Sequence, residues 1–314
     1  MSEDLILVLF NIFIIAMLVL DLGIIQRKAH FPSMKEALGW TMVWVSLAIL
    51  FGLFILSERG SDKALEFYTG YVVEEALSVD NVFVFIVIFS FFGVPKHAQH
   101  KVLFWGILGA IIFRAIFIVA GAALISQFHW ILYLLGAFLV FTAIKLAVQK
   151  ETEVHPEHNP LIQFARKILP VTKDYEGEKF IVRHNGKVFM TPLFLVLLMI
   201  ESTDIAFATD SIPAIFAITR DTFIIYTSNI FAILGLRSLY FVVAGFMKQF
   251  RYLKYGLSVV LGFIGIKMLI EPLYKVPIIS SLVIIFSTIT ISIVLSILHQ
   301  KKLNNQKEKH KNVY

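Results

Sequence analysis

Carboxylates are concentrated in two otherwise apolar runs of the sequence. With Asp21, which lies in an earlier apolar run, they form a set of acidic residues within or at the edge of apolar segments: Asp21, Glu74, Glu75, Asp80, Glu201, Asp204 and Asp210. Carboxylate and amide oxygens, without thiolate or imidazole partners, suit hard divalent cations such as Mg²⁺, Ca²⁺ or Mn²⁺. Neutral oxygen ligands stand nearby at Ser78, Asn81 and Ser211. The chemistry that these residues predict is cation binding.

Acidic side chains in an apolar medium need compensation. Each costs on the order of 2.5–3.5 kcal/mol near the centre of a bilayer, so they must be paired, protonated or filled by a cation. Four basic residues inside apolar runs can neutralise some of them: Arg114, Lys145, Arg237 and Lys267. Arg114 and Arg237 can alternatively gate a pathway. The structural alternative is that the charges pair only to fix helix packing. It applies most to Glu75 and to Asp21, which in this alternative is an interfacial anchor.

Helical geometry limits which of these groups can meet. At about 100° per residue, Glu74, Ser78 and Asn81 share a face, whereas Asp80 lies about 120° away from it. The six-residue spacing recurs between Asp204 and Asp210. One straight helix therefore cannot aim both members of such a pair at one point. Pro213 removes a backbone hydrogen bond and is expected to kink the second helix near Thr209.

The elements that carry these residues are membrane helices. The chain has 314 residues, of which 58% are hydrophobic and 16% charged, whereas soluble domains have about 25% charged residues. Because a spanning helix needs roughly 20 mostly apolar residues, nine spans are predicted: Leu5–Ile25, Thr41–Leu56, Phe67–Phe92, Val102–Ile125, Trp130–Ala147, Thr191–Ile218, Phe223–Met247, Gly256–Ile270 and Ile278–Leu298. The second and eighth are short enough to be partly interfacial. We expect an all-α polytopic membrane protein, with a polar loop that carries a short surface helix around Leu161–Leu169.

Basic residues predict the orientation of these spans. With the N-terminus outside, the inner loops hold 20 Lys and Arg residues and the outer loops hold 4, as the positive-inside rule requires. The net charge of +6 is therefore a topology signal and does not indicate nucleic-acid binding. The C-terminus is expected in the cytoplasm, where tail lysines contact anionic membrane lipid.

Three paired features indicate an internal repeat. Ile107-Leu108-Gly109 precedes Arg114 as Ile233-Leu234-Gly235 precedes Arg237, and Ala143–Leu146 resembles Gly265–Met268. Aligning residues 74–81 with residues 204–211 superposes Glu74 on Asp204 and Asp80 on Asp210. The predicted organisation is a single membrane domain, residues 1–314, with repeat one at about 67–148, a cytoplasmic loop at about 149–188 and repeat two at about 191–271. Extra helices lie at about 5–25, 41–56 and 278–298. An odd number of spans inverts the second copy, which is typical of secondary transporters with a site near the midplane.

The sequence resembles the TerC family of bacterial membrane proteins, in particular its Alx-type branch, over nearly its whole length. The resemblance is carried by segments 21–30, 68–83, 201–216, 231–237 and 263–268, among which Glu201-Ser202-Thr203-Asp204 through Asp210-Ser211-Ile212-Pro213 is the longest. It implies manganese export across the bacterial plasma (inner) membrane, within a superfamily of lysine-exporter-like transporters, and a link to tellurite resistance. By matching position, the implied metal-handling residues are Glu74, Asp80, Glu201, Asp204 and Asp210.

The leading hypothesis is therefore efflux of Mn²⁺ by alternating access, with Ca²⁺ or a small molecule as the other candidate cargo. A scaffold that supplies metal to secreted or membrane partner proteins is the alternative without net flux. An enzyme is not expected: two intramembrane aspartates suggest a protease dyad, but the sequence has no Gly-x-Gly-Asp segment. It also has no phosphate-binding loop for ATP and no cysteine for thiol redox chemistry. The sequence leaves the oligomeric state open.

Overall fold

The computed structural model describes residues 3–20, 33–128, 130–148, 159–168, 170–184, 186–246 and 252–311. In these ranges the chain forms ten helices and one β-hairpin. Their bounds are α1 Glu3–Leu20, α2 Met34–Arg59, α3 Ser61–Phe92, α4 Lys96–Gln127, α5 Ile131–Val148, α6 Pro160–Ile168, β1 Ile181–His184, β2 Lys187–Met190, α7 Pro192–Phe216, α8 Thr222–Phe246, α9 Leu253–Ile270 and α10 Ile278–Lys311.

The fold class expected from composition is confirmed, since nine long helices match the nine predicted spans in order. Seven of them, α2, α4, α5 and α7–α10, are long and apolar enough to cross a membrane, and α1 contributes a shorter apolar segment, Leu5–Val19. The helix α3 is not among these seven, although its 32 residues extend about 48 Å. The prediction that the second span is short was wrong: α2 has 26 residues and begins at a Ser33 cap.

A glycine forms the turn at each end of α3. Gly60, with φ of 85°, is the only residue between α2 and α3, and Gly93, with φ of 61°, ends α3 in the left-handed conformation. The Gly93 amide donates to the carbonyls of Phe89 and Ser90, closing the last turn. Positive φ is accessible to glycine at little cost, so the chain turns tightly at both positions, and α2 packs on α3.

Helices that the predicted repeats superpose cross in antiparallel directions. The start of α3 lies beside the end of α7, where Gly70 faces Ile215. The other crossing, α5 on α9, is also antiparallel. There Gly136 contacts the backbone of Gly265, and seven residues along α5 the Ser258 hydroxyl donates to the carbonyl of Ala143 at 2.6 Å. Further contacts also join one predicted repeat to the other: α3 packs on α8, and α4 packs on α7.

The segment between α5 and α7 contains more structure than expected. The short helix predicted at Leu161–Leu169 is present as α6, whose N-terminus is capped by Asn159 Oδ1, which accepts hydrogen bonds from the backbone amides of Leu161 (2.9 Å) and Ile162 (3.3 Å). The hairpin β1–β2, which pairs Ile181 with Met190 in antiparallel register, was not predicted. A short strand pair in a polar loop gives little hydrophobic signal, so periodicity could not reveal it.

Candidate ion-binding site

A buried arginine joins four helices at the centre of the bundle. Arg114 of α4 is 1% exposed and pairs with Glu74 of α3. Its Nη1 donates to Ser211 Oγ at 2.9 Å and to Asn229 Oδ1 at 2.8 Å. Its Nη2 lies 3.7 Å from Asp204 Oδ1. Glu74 and Asp204, which the repeat alignment superposes, therefore share one guanidinium.

Asn229 completes this polar centre from α8. Its side chain is fully buried, and its Nδ2 donates to Glu74 Oε2 at 3.1 Å while its Oδ1 accepts from Arg114. Both Glu74 oxygens are thus engaged. Since an unpaired buried polar group costs about 1–3 kcal/mol, the amide fixes the orientation of both charged partners.

A cavity of about 50 Å³ adjoins the arginine, and that volume holds one or two water molecules. Its polar wall is made by Asp80 and Asn81 of α3, Arg114 of α4, Thr142 of α5, and Asp210 and Ser211 of α7. The Thr142 hydroxyl donates to Asp210 Oδ1 at 3.2 Å. Leucines and Phe207 form the rest of the wall, so the two aspartates face a space with one polar and one apolar side.

The face of α3 predicted from helical geometry is confirmed. Glu74, Ser78 and Asn81 are 1%, 1% and 3% exposed. Asp80 lies off this face, is partly exposed and lines the cavity. The six-residue spacing thus separates Glu74 and Asp204, which bind Arg114, from Asp80 and Asp210, which line the cavity. Pro213 lies inside α7 without ending it, and the helix stops three residues later at Phe216.

Two further carboxylates face glycines of the opposite repeat. Glu201 lies against Gly109, where a Cβ atom would overlap the carboxylate, and Glu75 lies 3.7 Å from the Cβ position of Gly235. One oxygen each of Glu201 and Glu75 is buried without a hydrogen-bond partner. These glycines end the two Ile-Leu-Gly segments on which the predicted repeat rests, and of the two it is Gly109 whose close contact leaves no room for a Cβ atom.

The remaining predicted site residues lie elsewhere. Lys145 is exposed, while Lys267 and Arg237 are partly buried; the acidic centre forms its ion pairs with Arg114. Asp21 lies outside the described residues. Thr142 was not predicted as a site residue, although its position one turn before Lys145 in an apolar span is a signal. In the described ranges, no three His, Cys, Asp or Glu side chains are grouped closely enough to hold a metal ion in this conformation.

Comparison with known proteins identifies a family. Residues 59–309 match the integral membrane protein TerC family, and this range covers most of the chain and every described carboxylate discussed above.

The chain belongs to the TerC family.

Relatives match this chain over nearly their full length. An uncharacterised membrane protein of Myxococcus xanthus, STKORF319, is 50% identical over 93% of this chain and 92% of its own length. Alx of Salmonella typhi is 48% identical over 95% and 96%, and Alx of Escherichia coli (strain K12) is 47% identical over 91% and 92%. Both Alx proteins are named as candidate membrane-bound redox modulators. No solved structure matches the chain. The family assignment makes this a multi-span integral membrane protein with bacterial relatives.

Proposed function

We propose that this TerC-family protein exports Mn²⁺ from the cytoplasm by alternating access. The observation that carries the proposal is the cavity between the repeats, lined by the repeat-related Asp80 and Asp210 together with the oxygens of Asn81, Ser211 and Thr142. Hard oxygen ligands of this kind suit Mn²⁺ and also Ca²⁺. The other three ion-handling residues are Glu74, Glu201 and Asp204, which lie on the same two helices.

The packing supports a carrier with two moving halves. Antiparallel contacts between α3 and α7 and between α5 and α9 surround the cavity, which is the arrangement of transporters whose site lies at a repeat interface. Rocking one repeat against the other would open the cavity to each side of the membrane in turn. We place the N-terminus outside and the C-terminus in the cytoplasm, as the distribution of basic residues predicts.

The description of relatives as redox modulators is compatible with this function. The chain has no cysteine, so a thiol couple cannot mediate such an effect. Export of a redox-active metal changes the redox state of a cell by changing the amount of that metal. We therefore treat the protein as a transporter rather than an enzyme.

The test is Mn²⁺ flux into proteoliposomes that contain a metal-sensitive dye. The native protein is compared with Asp80→Asn and Asp210→Asn, which keep size and remove charge. Asp62→Asn, an exposed position in the first turn of α3, is the matched control. We expect flux from the native and Asp62→Asn proteins and none from the two cavity variants.

Two outcomes would contradict the proposal in different ways. If the native protein binds Mn²⁺ but gives no flux under a pH gradient or a voltage, autonomous transport is wrong, and metal supply to partner proteins replaces it. If Ca²⁺ moves and Mn²⁺ does not, the transport class stands and the cargo is wrong.

A further inference from the structure

The Arg114 guanidinium occupies the position of a cation between two equivalent carboxylates. It contacts Glu74 from repeat one and Asp204 from repeat two, and it is as buried as they are, at 1% exposure against 1% and 2%. A charge at this depth is normally either functional or compensated by partners. Here the partners are the same carboxylates that the proposed function assigns to the ion.

We propose that Arg114 is a tethered cation that competes with the transported ion for Glu74 and Asp204 and neutralises them when the carrier is empty. The proposal rests on the transport function stated above. In it, the ion enters from the cavity, the guanidinium leaves the two carboxylates, and it returns to them after the ion is released. Arg114 is therefore a positioning residue that sets ion affinity and allows the empty carrier to return.

The arginine breaks the symmetry of the site. With the Ile-Leu-Gly segments aligned, Gly109 superposes on Gly235, and the position of Arg114 in repeat one corresponds to Tyr240 in repeat two. Arg237 stands three residues before that position and is only partly buried. The repeats therefore supply two equivalent carboxylates and a single shared guanidinium.

Several polar atoms of this centre have no hydrogen-bond partner, and they are the atoms needed for the guanidinium and the ion to exchange places. Asp204 Oδ2 and Ser78 Oγ are buried without hydrogen-bond partners, and so is Arg114 Nε. The two oxygens can accept an ion, while Nε is a donor that a second position of the side chain can satisfy. Arg114 also lines the cavity, so space for that second position lies directly beside the first.

Charge balance explains why the guanidinium is needed. Glu74 and Asp204 with Arg114 carry a net charge of −1, and with a divalent ion in its place they carry 0. Without either cation, ionised carboxylates would leave −2 in a buried site, and breaking a buried ion pair by removing one partner is strongly unfavourable. A mobile repeat that carried that charge across the bilayer would face a high barrier.

The experiment measures equilibrium Mn²⁺ binding and Mn²⁺ flux separately. Binding to the purified full-length protein in detergent is followed by the electron paramagnetic resonance signal of free Mn²⁺, and flux is followed in proteoliposomes. Arg114→Gln removes the competing charge, and Arg114→Lys keeps the charge but loses the planar fork that contacts several acceptors at once. Arg59→Gln is the control, since Arg59 pairs with Asp221 near one end of the bundle. Size-exclusion chromatography reports whether each variant is folded.

We expect Arg114→Gln to bind Mn²⁺ about tenfold more tightly and to lose flux. A tenfold shift is expected if the guanidinium leaves the carboxylates free to bind an ion in roughly one tenth of the native molecules. Arg114→Lys should show a smaller gain in affinity, and Arg59→Gln should match the native protein in both measurements. A merely structural arginine predicts the opposite sign for binding. Unchanged or weaker binding by a monodisperse Arg114→Gln variant would overturn the proposal.

If Arg114→Gln aggregates, the proposal is tested with Arg114→Lys. Unchanged or weaker Mn²⁺ binding by this charge-conserving variant would also overturn the proposal. Absence of flux in the native protein would be a separate result. It would contradict the proposed transport and is distinguishable from any effect confined to the Arg114 variants.

Discussion

Gly109 of α4 lies directly against the carboxylate of Glu201 on α7, so closely that a Cβ atom at Gly109 would overlap the carboxylate oxygens. The atoms in its way are the far end of a flexible side chain, which can turn aside without moving the backbone. Glycine at this position therefore sets where the Glu201 carboxylate lies.

Gly109→Ala should consequently displace Glu201 while keeping the fold. We expect Mn²⁺ flux to fall several-fold and the helix itself to gain up to about 1 kcal/mol in propensity. Gly235→Ala is the matched control, because its Cβ would meet Glu75 at an ordinary contact distance of 3.7 Å. Equal flux from both alanine variants would show that the position of Glu201 does not matter for transport.

Asn229→Leu should destabilise the protein by about 2–6 kcal/mol. The substitution removes an acceptor from Arg114 and a donor from Glu74, and each buried group left unpaired costs about 1–3 kcal/mol. The midpoint of thermal unfolding in detergent measures the effect. Asn11→Leu is the comparison, since Asn11 accepts from Tyr226 at 2.7 Å in a half-buried position and its loss should cost less. A smaller effect at Asn229 than at Asn11 would contradict this account of the polar centre.

Gly265→Ala should weaken the α5–α9 crossing. Its Cβ would lie 2.8 Å from the carbonyl oxygen of Gly136 and 2.9 Å from the backbone nitrogen of Val140, so the helices must separate. Overpacking of this kind costs about 1–3 kcal/mol. Gly262→Ala on the same helix meets Ala143 at 3.5 Å and should leave the unfolding midpoint unchanged or slightly higher, because alanine has the higher helix propensity. Tolerance of Gly265→Ala equal to that of Gly262→Ala would show that the crossing can relax.

Asp221→Ala should destabilise the end of the bundle where α3 begins and α8 starts. Asp221 Oδ1 caps α8 by accepting from the amides of Phe223 and Ile224, and its Oδ2 pairs with Lys63 at 3.2 Å and Arg59 at 3.5 Å. Loss of the cap costs about 1–2 kcal/mol. Asp221→Asn keeps the capping oxygen and should cost less.

The control for Asp221 is Glu271→Gln. Its ion pair with Arg220 has side chains 45% and 43% exposed, and such surface pairs contribute about 0–1 kcal/mol. The unfolding midpoint should therefore hardly change in this variant. If Asp221→Ala and Glu271→Gln shift the midpoint equally, the capping role is wrong.

The sequence by itself determined the helices, their order and the buried face of α3 that carries Glu74. In lipid, backbone polar groups must be satisfied within each segment, so apolar length alone predicts a spanning helix, and all nine spans appear as long helices. Helical periodicity, which is also a local property, placed Glu74, Ser78 and Asn81 on one buried face. Among the described elements, the hairpin Ile181–Met190 was missed, because its stabilising contacts carry no periodic signal.

The tertiary structure alone decided which charges meet. Four basic residues stand inside apolar spans and are equivalent by sequence, yet Arg114 contacts Glu74 and Asp204 while Lys145 is exposed. Likewise the Thr142 hydroxyl donates to Asp210, which lies on another helix 68 residues later in the chain. Such contacts depend on the rotation and spacing of neighbouring helices, which glycines such as Gly109 and Gly265 set through close packing. Those distances are not encoded in the spacing of residues along any one helix.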